Sequence, residues 1–244
     1  MEQRSEEWYL ARKGKITASE CYLLLGNHKE PMTEEELAEF KATNPKSRTT
    51  TKEVPFSEGS FSYLNKKVAE RLMSNNNFLE YMDARDINTR ATSHGIFWED
   101  TARINYSLRT GNKVEQVGFI PLEGAEDYCG GSPDGVTGNG IIEIKCPWNS
   151  EVHLDYMLFE TPEDLKEYSL QYYAQIQLNI LVTGSDHGDF ISYDPRLADE
   201  YQMKVLRIPA DEEFQLLLKE RIALAQDYIN ERISKINDSK RIML

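Results

Sequence analysis

Cysteine is scarce in this chain of 244 residues: the three present, Cys21, Cys129 and Cys146, are scattered and show no C-x-x-C spacing. That pattern excludes a thiolate-built zinc or iron–sulfur site and speaks for a reducing, cytoplasmic setting. No apolar run approaches the ~20 residues of a membrane-spanning helix. The opening M-E-Q-R-S-E-E lacks the apolar core of a signal peptide, so no membrane partner is expected. Positive charge is also in deficit, with 28 Lys and Arg against 41 Asp and Glu, a net charge of −13. Any attraction to a polyanion must then be local rather than global, and strongly salt-sensitive. A chain of this length can bury a substantial core, and one domain of α/β type is expected.

The densest chemistry lies in Ser132-Pro133-Asp134-Gly135 and Ile141-Ile142-Glu143-Ile144-Lys145-Cys146-Pro147. S-P-D-G is a turn sequence, because Pro presets φ and Gly accepts a positive one. The run after it reads as a strand, where side chains alternate: Glu143 and Lys145 share one face, roughly 6.6 Å apart, and Ile142 and Ile144 take the other. Asp134 can reach the same point from its turn. Carboxylates of this kind are hard oxygen ligands for Mg²⁺, and a lysine beside them supplies a cation to an attacking water or a crowded phosphoryl group. An ordinary turn leading into a half-buried strand with a solvated charged face fits the same letters.

Two further segments carry matching chemistry. Residues 93–104 read as a helix whose Ile96, Phe97, Ile104 and Leu108 form one apolar side and are expected to be buried. Glu99 lies in its middle turn as a candidate third carboxylate, although by helix spacing alone a solvated strip of Glu99 and Asp100 paired with Arg103 is the plainer reading. Near the N-terminus, Thr17 and Glu20 have capping-box spacing, so a helix is expected to begin there. Its free N–H groups, with Ser19 in the first turn and Arg12, Lys13 and Lys15 just upstream, would suit a phosphate. A capped helix with a basic entry loop is the plainer alternative.

The remaining pattern predicts helices at 17–25, 33–41, 60–73 and 93–108, strands at 113–122 and 140–146, a long helix at 163–181, strands at 188–193 and 202–208, and a final helix capped by Asp211. That last helix keeps Phe214, Leu218, Ile222, Ala225, Ile229, Ile233 and Ile236 at core spacing. Residues 42–55, polar, basic and Thr-rich, read as a mobile loop with a DNA-contacting arm as the alternative; 27–88 carries no recognisable motif. A central mixed β-sheet flanked by helices is the expected product.

Taken together, W-x-x-x-R-x-G-x-I-T-A-S-E at 8–20, G-x-x-W-E-D at 95–100, S-P-D-G, E-I-K-C-P, Y-Y-A-Q-I-Q at 172–177 and Y-D-P-R at 193–196 resemble the phage lambda exonuclease family, also called YqaJ-type viral recombinase nucleases. That family is a branch of the PD-(D/E)xK nucleases. The resemblance covers roughly 8–196 and implies a restriction-endonuclease-like core within a single nuclease domain. Its parts would be an N-terminal portion at 1–89, a catalytic core at about 90–210 and a C-terminal helix at 211–240. The missing cysteines disfavour the related branch that carries a four-cysteine cluster.

Carried over by position, the resemblance implies that Asp134, Glu143, Glu99 and the carbonyl of Ile144 ligate Mg²⁺. Two ions are expected, and Mn²⁺ is a possible substitute. Lys145 would orient or deprotonate the water, and Gln175 would line the cavity, the spacing leaving Gln177 as the alternative. Arg12, Ser19 and Ser132 would hold a terminal 5′-phosphate. The implied activity is 5′→3′ removal of one strand of linear double-stranded DNA, leaving 3′ tails for strand annealing. The implied partners are double-stranded DNA ends, a ring-shaped homotrimer and a single-strand annealing protein, in a bacterial host, phage- or prophage-encoded. A structure- or sequence-specific endonuclease on the same core, and a non-enzymatic end-binding protein, are the other classes the sequence allows.

Overall fold

The computed structural model describes residues 1–85 and 89–241, so the end of the motif-free stretch, at 86–88, lies outside the described residues. Ser5 caps α1 (Glu6–Arg12), its hydroxyl accepting from the Trp8 amide. The chain then turns through Gly14, at a positive φ of 64°, into the short strand β1 (Ile16–Thr17). Here the structure corrects the sequence expectation. Ile16 and Thr17 pair with Cys129 and Gly130 in parallel, and Ala18 N–H donates to the Gly130 carbonyl, so this backbone is committed to a sheet. Beyond it comes one 3₁₀ turn, Cys21–Leu24, without a side-chain cap. Glu20 is drawn off to Lys66 and Lys67 instead of closing a capping box.

Residues 42–55 correct a second expectation, because β3 (Thr51–Pro55) pairs antiparallel with β2 (Asn27–Pro31) across five residue pairs. The two strands embrace α2 (Glu34–Thr43), where the capping box of Thr33 and Glu36 forms as its spacing predicts. Two helices come next, α3 (Glu58–Leu72), capped by Ser57, and α4 (Asn75–Arg85).

Helix α5 (Arg90–Thr110) starts at the Thr89 cap and stops at Gly111, whose φ of 73° is the left-handed conformation that ends helices. The expected apolar side of this helix does not face the core: Phe97 is 71% exposed and Leu108 76%, and Ile96 and Ile104 are exposed as well. Ala102 and Tyr106 point inward instead. The small residue lets the helix approach the sheet, and Tyr106 anchors it by donating to Asp189 Oδ2 at 2.6 Å. Residues 113–122 form less strand than expected. Only β4 (Ile120–Pro121) and a lone bridge from Glu115 to Val136 pair, with Leu122 N–H adding one further bond to the Cys129 carbonyl. The partner of β4, β5 (Cys129–Gly131), is three residues long.

The central sheet is mixed and four-stranded, in the order β6 (Gly135–Thr137), β7 (Gly140–Lys145), β8 (His187–Tyr193), β9 (Met203–Pro209). Strands β7 and β8 run parallel, and the outer pairs are antiparallel. The parallel pair needs a crossover, supplied by α6 (Ser150–Met157), α7 (Pro162–Tyr168) and α8 (Leu170–Thr183). The single long helix expected over 163–181 is two, because Ser169 takes an extended backbone (φ −149°, ψ 90°) and uses its hydroxyl to cap α8. The final helix, α9 (Glu212–Arg241), begins where Asp211 Oδ1 accepts from Phe214 N–H, and its predicted apolar positions pack against the main core.

Alternation along β7 divides the interior in two. Ile141 joins Ala174 and Ile176 of α8 in the main core, which extends from Ile16 to Ile229. Ile142 and Ile144 join Ala102 and Tyr106 of α5 on the other face. The sheet is thus sandwiched between helices, as expected, and the acidic end of β7 emerges where α5, α8 and the S-P-D-G turn meet.

Candidate active site

The turn at Asp134 is fixed by backbone bonds to the neighbouring strand. Asp134 N–H donates to the Ile142 carbonyl at 3.1 Å, and Asp134 Oδ2 accepts from Ile144 N–H at 2.6 Å. Gly135 begins β6 at once, opposite Ile142, and a side chain there would collide with Val114. Asp134 is therefore held beside the Glu-x-Lys pair by the two strands of one hairpin. Glu143 is almost wholly buried, and its Oε1 accepts from Lys145 Nζ at 2.6 Å. The Lys145 ammonium lies 4.5 Å above the Tyr172 ring and 3.5 Å from Gln175 Oε1.

Helix α8 supplies three residues to this cluster on one side, Tyr172, Gln175 and Asn179, at i, i+3 and i+7. Asn179 Nδ2 donates to Glu143 Oε2 at 3.4 Å, and the side chain fits only because Gly131 opposite it has no Cβ. Gln177 is turned away: it accepts from Asp211 N–H and donates to the Pro209 carbonyl, joining α8 to the start of α9. The open question between the two glutamines resolves in favour of Gln175 as the one facing the cavity.

Glu99 enters from α5. Its Oε1 accepts from Arg103 at 2.8 Å and its Oε2 from Arg4 at 2.8 Å, while Arg103 also donates to the Asp134 carbonyl at 3.1 Å and pairs with Asp100. Spacing anticipated the Arg103 pairing but not Arg4. Glu99, Asp134, Ile144, Glu143, Lys145 and Gln175 line one open cleft of about 510 Å³. In the structure the carboxylates face protein donors. Among the described residues no three His, Cys, Asp or Glu side chains stand in metal-binding geometry around one point.

The same cleft reaches Arg12, Ser19 and Ser132. The Arg12 guanidinium stacks 3.8 Å above the Trp8 ring, and Trp8 Nε1 donates to Ser132 Oγ at 3.0 Å. Ser19 Oγ lies 3.4 Å from Thr17 Oγ1. The helix N-terminus expected to hold an anion here is absent, because that stretch is strand and 3₁₀ turn. The remaining phosphate-directed groups are a guanidinium aligned by an indole and two hydroxyls beside it.

Electrostatics mark the acidic lobe as a place for a cation. Burial, then the charges of Glu143 and Glu99, push the Asp134 carboxyl well above the usual range, and burial raises Glu143 too. Burial works against the Lys145 ammonium, but Glu143 and Asp134 outweigh it and hold its pKa above the ordinary lysine value. Burial lowers Arg12 to about 10, so it remains a cation at neutral pH. Three crowded carboxylates, all oxygen donors with no sulfur or imidazole among them, fit a hard divalent ion.

Sequence reasoning missed Asn179, Tyr172, Arg103's bond to the Asp134 carbonyl, and Arg4. The first two were within reach, since they lie four residues after and three before Gln175 on the same helix. Arg4 carried no signal of spacing.

A mixed sheet with an Asp, Glu-x-Lys constellation at the end of its strand hairpin defines the PD-(D/E)xK type of nuclease fold. The YqaJ-like viral recombinase domain matches residues 7–186, and the chain belongs to that family. Among solved structures, the alkaline exonuclease LHK-Exo of Laribacter hongkongensis aligns over 98% of this chain and 100% of its own, at 25% identity and a TM-score of 0.71. LHK-Exo in complex with dAMP gives 26% identity, a TM-score of 0.72 and the same coverage. A phage-related exonuclease from Haemophilus somnus 129PT shares the fold, with a TM-score of 0.62, 16% identity, and coverage of 91% of this chain and 96% of that one. A comparison with curated protein sequences finds no match. Family and neighbours together support a nuclease of exonuclease type. Among the described residues no helix is long and apolar enough to cross a membrane.

Proposed function

We propose that this chain is a divalent-cation-dependent exonuclease that shortens one strand of linear double-stranded DNA in the 5′→3′ direction from a 5′-phosphorylated end. The 3′ tail left behind would serve recombination by strand annealing. The observation that carries the reading is a single cleft with two chemically distinct ends. At one end lie Asp134, Glu143, Glu99 and Lys145, and at the other Arg12 on Trp8 with Ser19 and Ser132. A cleft that hydrolyses a phosphodiester next to a seat for a terminal phosphate measures its cut from the strand's end. The solved complex of LHK-Exo with dAMP, a deoxynucleotide, fits such a product.

Asp134, Glu143 and Glu99, with the Ile144 carbonyl, would hold the Mg²⁺, and Mn²⁺ suits the same oxygen donors. When bound, Mg²⁺ would supply charge neutralisation at the phosphoryl oxygens and acidify a water. Lys145 keeps its proton while Glu143 and Asp134 face it. Its ammonium would orient the water and stabilise developing negative charge. Tyr172 fixes the ammonium from below, and Gln175 and Asn179 hold Lys145 and Glu143 in position. Arg12 would clasp the terminal phosphate through N–H donors that Trp8 aligns. We place the whole chain in one functional unit that acts as a ring-shaped trimer on DNA ends with an annealing partner, in the host cytoplasm.

Two measurements test this. Linear duplex DNA should be degraded and covalently closed circles left intact, with EDTA stopping the reaction; opened circles would favour an endonuclease. Arg12→Ala should lower the rate on 5′-phosphorylated ends by about 10- to 100-fold, to the level of 5′-hydroxyl ends. An equal decline on both substrates would rule out the phosphate seat.

A further inference from the structure

Glu99 is covered by a residue from the very start of the chain. Arg4 has a φ of 68°, in the left-handed region, a conformation that is strained for a non-glycine residue and clusters at functional sites. Its neighbours hold it there. Gln3 Nε2 donates to the carbonyls of Val117 at 3.0 Å and Pro133 at 2.9 Å. Gly118 lies so close to Met1 that a Cβ on it would stand 2.7 Å from the Met1 carbonyl oxygen. The first residues are thus strapped across the loop that carries Asp134, and Arg4 extends over the cleft to place Nη2 at 2.8 Å from Glu99 Oε2.

The two oxygens of Glu99 are held unequally. On Oε1, Arg103 is buried and anchored twice more, on Asp100 and on the Asp134 carbonyl. On Oε2, Arg4 makes this one ion pair with a side chain that is 45% exposed. Held by this single contact on a half-exposed side chain, Arg4 can leave Glu99, whereas Arg103, buried and anchored at three points, cannot. Asp134, Glu143 and one oxygen of Glu99 would together hold a divalent cation, whose charge would repel a guanidinium beside it. Oε2 is the oxygen that can be freed. The displaced guanidinium then lies in the same cleft as Arg12, with a fork of N–H donors that matches a phosphate.

We propose that Arg4 is a DNA-phosphate ligand held in reserve, parked on Glu99 until a divalent cation takes that carboxylate. The proposal rests on the metal-dependent nuclease reading above and adds that cation binding and DNA binding are linked through one side chain.

The test uses the full chain as wild type, Arg4→Gln and Arg4→Lys. Mn²⁺ binding is measured by titration calorimetry without DNA, and binding of a 5′-phosphorylated duplex by fluorescence anisotropy in Ca²⁺. With no guanidinium to displace, Arg4→Gln should bind Mn²⁺ about three- to fivefold more tightly. The same variant should lose about five- to tenfold in DNA affinity, with a salt slope lower by about one. Arg4→Lys should fall between the two. Unchanged Mn²⁺ affinity in Arg4→Gln, or unchanged DNA affinity in Ca²⁺, overturns the proposal. If wild type and Asp134→Asn alike bind no Mn²⁺, the nuclease reading falls and this inference with it, whereas equal affinity in wild type and Arg4→Gln removes Arg4 alone.

Discussion

Lys145→Met is expected to cut turnover on linear duplex DNA by at least about 10³-fold while leaving the affinity for the same DNA in Ca²⁺ within a few-fold. Methionine keeps an unbranched side chain of similar volume, so what is lost is the ammonium with its contact to the Tyr172 ring. That group stands 2.6 Å from Glu143 Oε1 and 3.5 Å from Gln175 Oε1, at the acidic end of the cleft. No other lysine lines the cleft to replace it among the described residues. Its removal leaves the water unoriented and the developing phosphoryl charge without its ammonium donor. Single-turnover kinetics with saturating enzyme separates this loss from weakened binding; retained turnover would end any catalytic role for Lys145.

Asp134→Asn should have two opposite effects. Hydrolysis should fall below detection, because the change removes the charge of a central metal oxygen. Stability without metal should rise. Asn can still accept from Ile144 N–H through its amide oxygen, so the turn is kept. Proton linkage gives the sign. In the folded protein burial and the charges of Glu143 and Glu99 raise the Asp134 carboxyl above its unfolded value. The folded state therefore binds more protons between those two values, and stability falls as pH rises through that window. Above it the cost is fully present; below the unfolded carboxylate range it vanishes. In EDTA at pH 7 the variant should therefore melt at a higher temperature than wild type, and the difference should shrink away as the pH is lowered below the unfolded carboxylate range. Adding Mg²⁺ should stabilise wild type and not the variant. A lower Tm for Asp134→Asn at neutral pH would show that the carboxylate is not under the proposed strain.

How much of this was legible in the sequence depended on whether the signal was local. Asp134, Glu143 and Lys145 lie on one hairpin, so turn chemistry and strand alternation sufficed to bring them together. Capping at Thr33 and Asp211 and the apolar spacing of the final helix were local too, and they held. Most of the expectations that failed depended on partners distant in the chain. Thr17 has the letters of a helix cap, but a parallel strand at 129–131 takes its backbone. The apolar residues of α5 point outward because the sheet selects a helix face by close approach at Ala102 and by the Tyr106–Asp189 hydrogen bond, neither visible in the hydrophobic pattern. One failure was local: Ser169 divides one expected helix into two because its extended backbone breaks the first and its side chain caps the next. Arg4 reaches Glu99 across 95 residues of sequence, a distance over which spacing says nothing.

Anomalous diffraction from a crystal soaked in Mn²⁺ tests the central claim most directly. Manganese density is expected between Asp134, Glu143 and the Ile144 carbonyl, with Glu99 Oε2 turned from Arg4 toward the ion and Lys145 still beside Glu143. Absence of anomalous density in that cleft at millimolar Mn²⁺, or a manganese bound elsewhere on the chain alone, would contradict it.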